Sequence, residues 1–427
     1  MQIFNSRITV AIVSVLLTAV AAVIYVNLAG GERTLKQQLP RLYESDDAEF
    51  RRALSALLGP AMVEGNAIQT LRNGDQIFPA MLQAIRGAQR TITFETYIYW
   101  SGEIGKAFVD ALNERAQAGV AVHVLLDWVG SMKIDDAMLK RMRQAGVEVE
   151  RFHKPGWTGL GKLNNRTHRK LLICDGKVGF TGGVGIADLW RGNARTENEW
   201  RDNHFRVEGP VVSQMQSVFL DNWMRATGKV LHGDAYFPEQ KSAGKCLAQM
   251  FSSSPQGGSE SMHLMYLLAI TAAHQSIDLA NAYFVPDAMA IKALTDAARR
   301  GVKVRVLTPS TVVDSELVRQ ASHDTWGELL EAGVQIAEYQ PTMLHVKGLV
   351  VDGMFSSVGS TNFDGRSFRL NDEANLNVLN SEFGAKQREV FQADWDKARQ
   401  FTLAQWQNRP WTERVLEKLA ALLRNQL

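Results

Sequence analysis

Apolar and polar positions along this chain switch between a helical and a strand period. Over Asp75–Ala88, Ile77, Phe78, Met81 and Ile85 form one stripe at helical spacing. Thr91–Tyr99 is rich in Thr, Ile, Phe and Tyr, the composition of a strand. Gly105–Ala118 reads as a helix, and Gly119 opens Val120–Leu126 as a buried strand. Asp135–Ala145 returns to helix, and Gly146-Val147 opens another strand. Alternating strands and helices predict an α/β sheet with helices on its faces. The order then returns. Ser276–Phe284 matches the Thr91 strand, Ala290–Arg300 the Gly105 helix, Gly301–Leu307 the Gly119–Leu125 run, and Leu329–Val334 the Gln144–Val147 stretch. A repeat of about 180 residues is too long for a solenoid. It predicts two lobes of one fold, each a mixed sheet flanked by helices, related by a pseudo-twofold axis.

The chain ends carry different patterns. Ile8–Leu28 holds no charge and is about 20 apolar residues long, enough to cross a bilayer. An N-terminal transmembrane anchor over 1–30 is expected, with a cleaved signal peptide as the rival. Arg7 precedes the span and Arg33, Lys36 and Arg41 follow it, a weak lean toward a cytoplasmic catalytic part. A polar connector at 31–63, lobes at 64–240 and 245–406, and a C-terminal amphipathic helix at 407–427 complete the division. On that helix Val415, Leu419 and Leu422 share a face, with Arg414 and Lys418 elsewhere. It suits either an anionic lipid surface or docking on the second lobe. At 427 residues and 45% hydrophobic, the chain can bury two cores. A net charge of +2 gives no basic track for nucleic acid. The two cysteines, Cys174 and Cys246, make neither a disulfide framework nor a metal cluster.

Each repeat carries one hairpin with chemistry on it. The first reads His168-Arg-Lys170, then Asp175-Gly176, then Gly182-Gly183; the second reads His345-Val-Lys347, then Asp352-Gly353, then Gly359-Ser360. His and Lys two apart on a strand share a face. Asp-Gly predicts a two-residue turn, which would set Ser360 opposite His345 and Gly183 opposite His168. Imidazole, ammonium and small residues then make a pocket for an anion. Asp175 and Asp352, at the far ends of the hairpins, read as turn and packing residues.

Two His-x-Lys-x4-Asp copies, the second followed by Gly-Ser-x-Asn, resemble the phospholipase D superfamily, and the context resembles its bacterial cardiolipin synthase branch. Supporting phrases are Phe94-Glu-Thr-Tyr97, Thr181-Gly-Gly183, Val207-Glu-Gly-Pro210 and Asn371-Asp-Glu-Ala-Asn375. The resemblance runs from about Asn66 to Trp406. It implies a catalytic set of His168, Lys170, Asp175, His345, Lys347, Asp352 and Glu373. Phosphate would be held by Gly183, Ser360 and Asn362. Glu373, 28 residues after His345, would orient that histidine, with Asp202 as first-lobe counterpart. One departure stands out: Gly185 occupies the place of the usual Asn. The N-terminal histidine is the usual nucleophile, whereas symmetry alone leaves the roles of His168 and His345 open. The implied reaction is phosphatidyl transfer between phospholipids such as phosphatidylglycerol at a membrane, through a phosphohistidine. No metal ligand set and no cofactor is expected. The alternatives are a phospholipase D hydrolase releasing phosphatidic acid, a nuclease of the superfamily, and a non-catalytic membrane scaffold. An extra rim at Lys154–Lys162, with Trp157, is a further candidate for lipid contact.

Overall fold

A computed structural model describes residues 37–152, 164–255 and 261–424, with Leu35, Gln426 and parts of 9–22. Among these residues, sixteen strands join in one sheet. From one edge it runs Glu148–Phe152, Ala121–Asp127, Thr91–Thr96, Leu171–Cys174, Val178–Gly182, Asn203–Glu208 and Val63–Arg72. It continues through Cys246–Ser253, Asn371–Leu379, Phe355–Gly359, Lys347–Val351, Ser276–Asn281, Lys303–Pro309 and Gln335–Tyr339, with Ala398–Phe401 on the far edge. Read outward from the Val63/Cys246 junction, both halves have the same order. Each has a junction strand, a returning strand, a hairpin, and three parallel strands. The halves meet where Val63–Arg72 pairs antiparallel with Cys246–Ser253.

The parallel strands are covered on both faces, which is why Thr91–Thr96 and Ser276–Asn281 are buried at every position. In the first half, Ile77, Phe78, Met81, Phe108 and Leu112 from the Asn73–Gly87 and Glu103–Gln117 helices pack on Ile92, Phe94, Val122 and Val124. On the opposite face, the Val211–Thr227 helix sets Val212, Met215, Phe219 and Trp223 against Leu171, Ile173 and Phe205. In the second half, the Ser261–Ala272 and Ala288–Arg299 helices line one face. Phe391 and Trp395 of the Ser381–Trp395 helix line the other. Each such side chain, fully buried, contributes about 1.5–3 kcal/mol. The Ala48–Leu58 helix, although it precedes the first lobe, inserts Phe50 and Leu54 into the second lobe's core, where Phe50 meets Phe355 edge-on at 5.4 Å.

The structure describes the expected chain ends in part. Of Ile8–Leu28, residues 9–11, 13–15, 17–18 and 20–22 are described and helical; the rest of the run lies outside the described residues. No helix among the described residues is long and apolar enough to cross a membrane. The Lys154–Lys162 rim, with Trp157, also lies outside them. At the C-terminus the helix is Trp411–Ala421 and packs on the Glu316–Asp324 helix. It buries Glu417, Ala420 and Ala421 and leaves its large apolar residues exposed. Glu417 accepts from Arg409 Nε at 2.6 Å and lies 3.7 Å from His323.

Candidate active site

Both hairpins differ from the expected register by one residue. Cys174 pairs with Val178 and Val351 with Phe355, so each Asp-Gly turn takes a third residue, Lys177 or Met354. Asp175 and Asp352 adopt left-handed backbone, φ 54° and 55°, followed by Gly176 and Gly353 at 62° and 67°. A one-residue shift changes which positions face each other. Ser360 therefore does not lie opposite His345, nor Gly183 opposite His168. Both aspartates sit in the turns, and Asp352 Oδ2 lies 2.9 Å from His274 Nδ1. Asp175 accepts from the amides of Gln89, Arg90 and Thr91, at 2.7 Å from Arg90. Asp352 accepts from those of His274, Gln275 and Ser276 and from Ser45 Oγ at 2.6 Å. Each carboxylate thus ties a hairpin tip to the start of its lobe's first parallel strand.

The two histidines meet because each lobe's chain runs beside the other's. Arg166-Thr167 pairs in parallel with Asn371-Asp372, and His168 N–H donates to Asp372 O at 2.8 Å. In the mirrored place, Arg201 bridges Leu344 and His345 N–H donates to Arg201 O at 2.8 Å. This crossing decides the carboxylate partners. Glu373 lies with both oxygens 3.0 Å from His168 Nδ1, and Asp202 lies 2.7 Å from His345 Nδ1. Each histidine is held by the opposite lobe, the reverse of the expectation that Glu373 serves His345 and Asp202 serves His168. An Nδ1–H donated to a carboxylate leaves Nε2 with its lone pair.

The support around each carboxylate differs. Glu373 accepts from Ser360 Oγ at 2.5 Å, Ser367 Oγ at 2.7 Å and Asn371 Nδ2 at 3.3 Å. Ser360 thus buttresses Glu373. Asp202 accepts from Trp190 Nε1 at 3.0 Å and from the Asn203 amide at 2.8 Å. Gly183 packs on Asp202: a Cβ there would lie 2.3 Å from its Oδ1. The Gly183 amide is already donated to Asn203 O. Asn362 lines the cleft, buried, with Oδ1 lacking a partner among the described residues. Lys170 Nζ donates to His168 O at 2.7 Å; Lys347 Nζ donates to His345 O at 2.8 Å and stands 3.0 Å from His345 Nε2.

Burial dominates the protonation of the site. It pushes His168 down to about 4, against the pull of Glu373. It lowers His345 as well, helped by Lys347 and opposed by Asp202. Lys170 falls to about 7 and Lys347 to about 8 for the same reason. Burial would raise Glu373 and Asp202, but their histidine and lysine neighbours hold both below the ordinary carboxylate range. The site therefore favours neutral imidazoles beside ionised carboxylates, with ammonium groups that an approaching anion would recharge.

His168, Lys170, His345 and Asn362 line one cleft of about 490 Å³, together with Tyr97, Lys133, Arg166, Trp190, Trp200, Asp314, Asp364 and Arg366. The Tyr97 ring lies 5.2 Å from His168, and Trp190 and Trp200 lie 5.3 and 5.2 Å from His345. Sequence reasoning gave no role to Trp190, Arg166, Arg366 or Ser367. Of the cleft's aromatic residues, Tyr97 alone stood in a phrase that carried the resemblance. Two half-sites on duplicated hairpins facing one cleft match a described family. The family "Cardiolipin synthase, PLD-like domain" covers residues 81–223 and 266–395. The chain belongs to that family. It is thus an enzyme of the phospholipase D superfamily. Cardiolipin synthase A of Pseudomonas syringae is 35% identical over 355 residues, 82% of this chain and 73% of that protein. Cardiolipin synthase of Geobacillus thermodenitrificans is 37% identical over 356 residues, 83% and 71%. That of Halalkalibacterium halodurans is 33% identical over 402 residues, 93% and 79%. Among solved structures, phosphatidylserine synthase from Haemophilus influenzae aligns with a TM-score of 0.65 at 12% identity. The alignment covers 89% of this chain and all of that one, a likeness of fold.

Proposed function

We propose that this cardiolipin synthase family member is a phosphatidyltransferase that joins two phosphatidylglycerol-type lipids through a phosphohistidine on His168. The observation that carries the reading is the pair of buried imidazoles in one cleft, each aligned by a carboxylate of the other repeat. His168 Nε2 attacks the donor phosphorus, and the bond from phosphorus to the departing glycerol oxygen breaks. His345, protonated on Nε2, gives that oxygen its proton. The acceptor hydroxyl then attacks phosphorus and its proton passes to His345. The phosphorus–nitrogen electron pair returns to His168. Two phosphatidylglycerols become one cardiolipin and one glycerol, so the bonds balance. Lys170, Lys347 and Asn362 hold the non-bridging oxygens; Asp175, Asp352, Ser360 and Gly183 act by fixing the hairpins and carboxylates. The repeats at 64–240 and 245–406 each supply half of this machinery.

A lipid substrate requires a membrane surface, and the C-terminal helix supports one. Trp411, Leu416, Leu419 and Leu422 are 75, 54, 57 and 79% exposed. At 100° per residue they fall with Val415 and Leu423 on one arc of about 140°, bordered by Arg414 and Lys418. Gln426, just beyond, lines the catalytic cleft. Purified protein mixed with phosphatidylglycerol vesicles, without nucleotide, should yield cardiolipin and glycerol in equal amounts. Phosphatidic acid as the sole lipid product would make it a hydrolase and end the transferase reading.

A further inference from the structure

We propose that Asp314, set by the Tyr283 hydroxyl, binds the spare hydroxyls of the departing headgroup and so makes the cleft select glycerol; this rests on the reading above for its donor, phosphatidylglycerol. The starting point is a carboxylate in a cleft built for an anion. Asp314 lines that cleft and is exposed. A carboxylate accepts hydrogen bonds and donates none, and its charge repels phosphate. In this place it suits a part of the substrate that is rich in donors. Asp364, the other carboxylate of the lining, differs. Burial pushes it up to about 7, and it is engaged by the Ser367 N–H at 2.7 Å.

The fold holds Asp314 in place from both sides. It lies between the Lys303–Pro309 strand and the Glu316–Asp324 helix. Before it, Val312 and Val313 pack against the first lobe's core; after it, Ser315 Oγ accepts from Val318 N–H at 3.4 Å. Tyr283 Oη donates to Asp314 Oδ2 at 2.5 Å, its one hydrogen-bond donor among the described residues. The second oxygen is left for a ligand. Tyr283 is fixed in turn, because its carbonyl accepts at 3.1 Å from Phe363 N–H, next to the phosphate-holding Asn362. In the first lobe, the related loop runs from the Ala121–Asp127 strand to the Asp136–Gln144 helix. It presents Lys133 to the same cleft, 3.9 Å over the Trp100 ring. Both loops leave the C-terminal ends of parallel strands, where α/β sheets bind ligands. One loop offers a cation and its counterpart a carboxylate, so the two sides of the cleft recognise different chemistry.

Asp314 belongs to the half-site that handles the leaving group. Burial lowers His345 and Lys347, and Asp314 is among the charges that oppose it. His345 gives its proton to the departing glycerol oxygen. The other two hydroxyls of that glycerol sit on the next carbons, and they donate to Asp314 while keeping their own protons. Asp314 thus makes and breaks no covalent bond. An ammonium headgroup would also meet a carboxylate, but Lys347, 3.0 Å from His345 Nε2, and Lys133 place like charges around it. Neutral hydroxyls avoid that repulsion.

The test uses the full chain, Asp314→Asn and Tyr283→Phe, with each donor lipid dispersed in phosphatidylcholine vesicles. Phosphatidylglycerol and phosphatidylethanol carry the same phosphate charge, and both release an alkoxide that needs the His345 proton. Only the first has spare hydroxyls. Release of glycerol or ethanol is read, so the result is the same whether lipid or water accepts the phosphatidyl group. Phosphatidyl-p-nitrophenol, whose leaving group departs without an acid, counts the active molecules in each preparation by trapped label. Wild type should favour phosphatidylglycerol over phosphatidylethanol in kcat/KM by about tenfold or more. Asp314→Asn should erase most of that preference, and Tyr283→Phe should reduce it. Equal kcat/KM for the two donors in wild type, or a preference that Asp314→Asn leaves intact, overturns the assignment. A larger loss with phosphatidylethanolamine than with phosphatidylglycerol also overturns it, by giving Asp314 an ammonium to hold. Wild type that releases glycerol yet forms phosphatidic acid alone would end the transfer reading, while the headgroup contact still stands or falls on the ratio.

Discussion

Exchanging the two orienting carboxylates for amides should separate the halves of the reaction across the lobe boundary. Glu373→Gln removes charge from the residue whose oxygens both lie 3.0 Å from His168 Nδ1. It also turns an amide NH2 toward neighbours that include the donors Ser360 Oγ and Ser367 Oγ. Asp202→Asn does the same to the contact 2.7 Å from His345 Nδ1 and to the acceptor of the Trp190 indole. A hydrogen bond to a charged partner is worth about 1.5–3 kcal/mol, or roughly ten- to 150-fold in rate. With phosphatidyl-p-nitrophenol, Glu373→Gln should slow formation of the phosphoenzyme by that factor. Asp202→Asn should label at nearly the wild-type rate and then stall, because deprotonation of the acceptor falls to His345. With phosphatidylglycerol as donor, both variants should be slow. The assay is quench-flow trapping of acid-labile lipid label on the protein. The opposite pattern, with slow labelling in Asp202→Asn and normal labelling in Glu373→Gln, would refute either the crossed pairing or the choice of His168 as nucleophile. Normal labelling in His168→Ala would decide against that choice.

Labelling by the activated donor needs neutral His168, so its rate should be level from neutrality down to about pH 5 and fall as the pH approaches about 4. Above neutrality, kcat/KM should decline as Lys170 and Lys347 lose their protons near about 7 and about 8 in the free enzyme. Bound phosphate raises both, so the decline in kcat should come at higher pH; a kcat/KM profile flat to about pH 10 would contradict this. Asp352→Ala strands three backbone amides and should lower stability by about 2–4 kcal/mol in chemical denaturation, while the folded fraction keeps its turnover; lost turnover at full stability would give Asp352 a chemical role. Gly185→Asn should destabilise by about 1–3 kcal/mol, since a Cβ there would sit 2.8 Å from that of Ile98 and 3.1 Å from the Trp190 ring; an unchanged denaturation midpoint would refute that crowding. Leu416→Glu with Leu419→Glu should leave melting unchanged and reduce co-sedimentation with anionic vesicles; sedimentation equal to wild type would remove the C-terminal helix from the membrane contact.

The duplication was legible because hydrophobic period and glycine placement recur together, and parallel strands buried on both faces leave that signature. The His-Lys hairpins were legible for the same reason. Their register was not. Asp-Gly usually makes a two-residue turn, and the i→i+3 bonds from Lys177 to Cys174 and from Met354 to Val351 are present. The additional residue is tolerated because Asp175 and Asp352 are pinned by amides of Gln89–Thr91 and His274–Ser276, distant in sequence. The carboxylate pairing was out of reach for a related reason. Counting from His345 to Glu373 treats a lobe as self-contained, whereas the backbone of Arg166–His168 runs along Asn371–Glu373 of the other. Arg166, Arg366 and Trp190 carried no motif of their own; only the fold brings them to the cleft.

The duplicated motifs alone leave the two histidines equivalent, and the structure breaks that equivalence at Gly185. The second repeat has Asn362 at this position, facing the cleft. In the first, Ile98 and Trp190 occupy the space an Asn side chain would need. Trp190 then does two things at once: its indole N–H donates to Asp202, and its ring stands 5.3 Å from His345, with Trp200 at 5.2 Å on a tilted plane. Beside these rings, burial and then Lys347 lower His345 and Asp202 opposes them, so an anion that engages Lys347 shifts His345 toward its protonated form. His168 has no such indole wall among the described residues. Its ring makes one T-shaped contact, with Tyr97, and its carboxylate is fixed by two hydroxyls and an amide, which keep Glu373 aligned on a neutral imidazole. A nucleophile must be neutral and an acid must carry a proton. The loss of one side chain at Gly185 therefore goes with the division of labour on which the proposed mechanism depends: the hydroxyl-braced half-site attacks and the indole-lined half-site moves the proton.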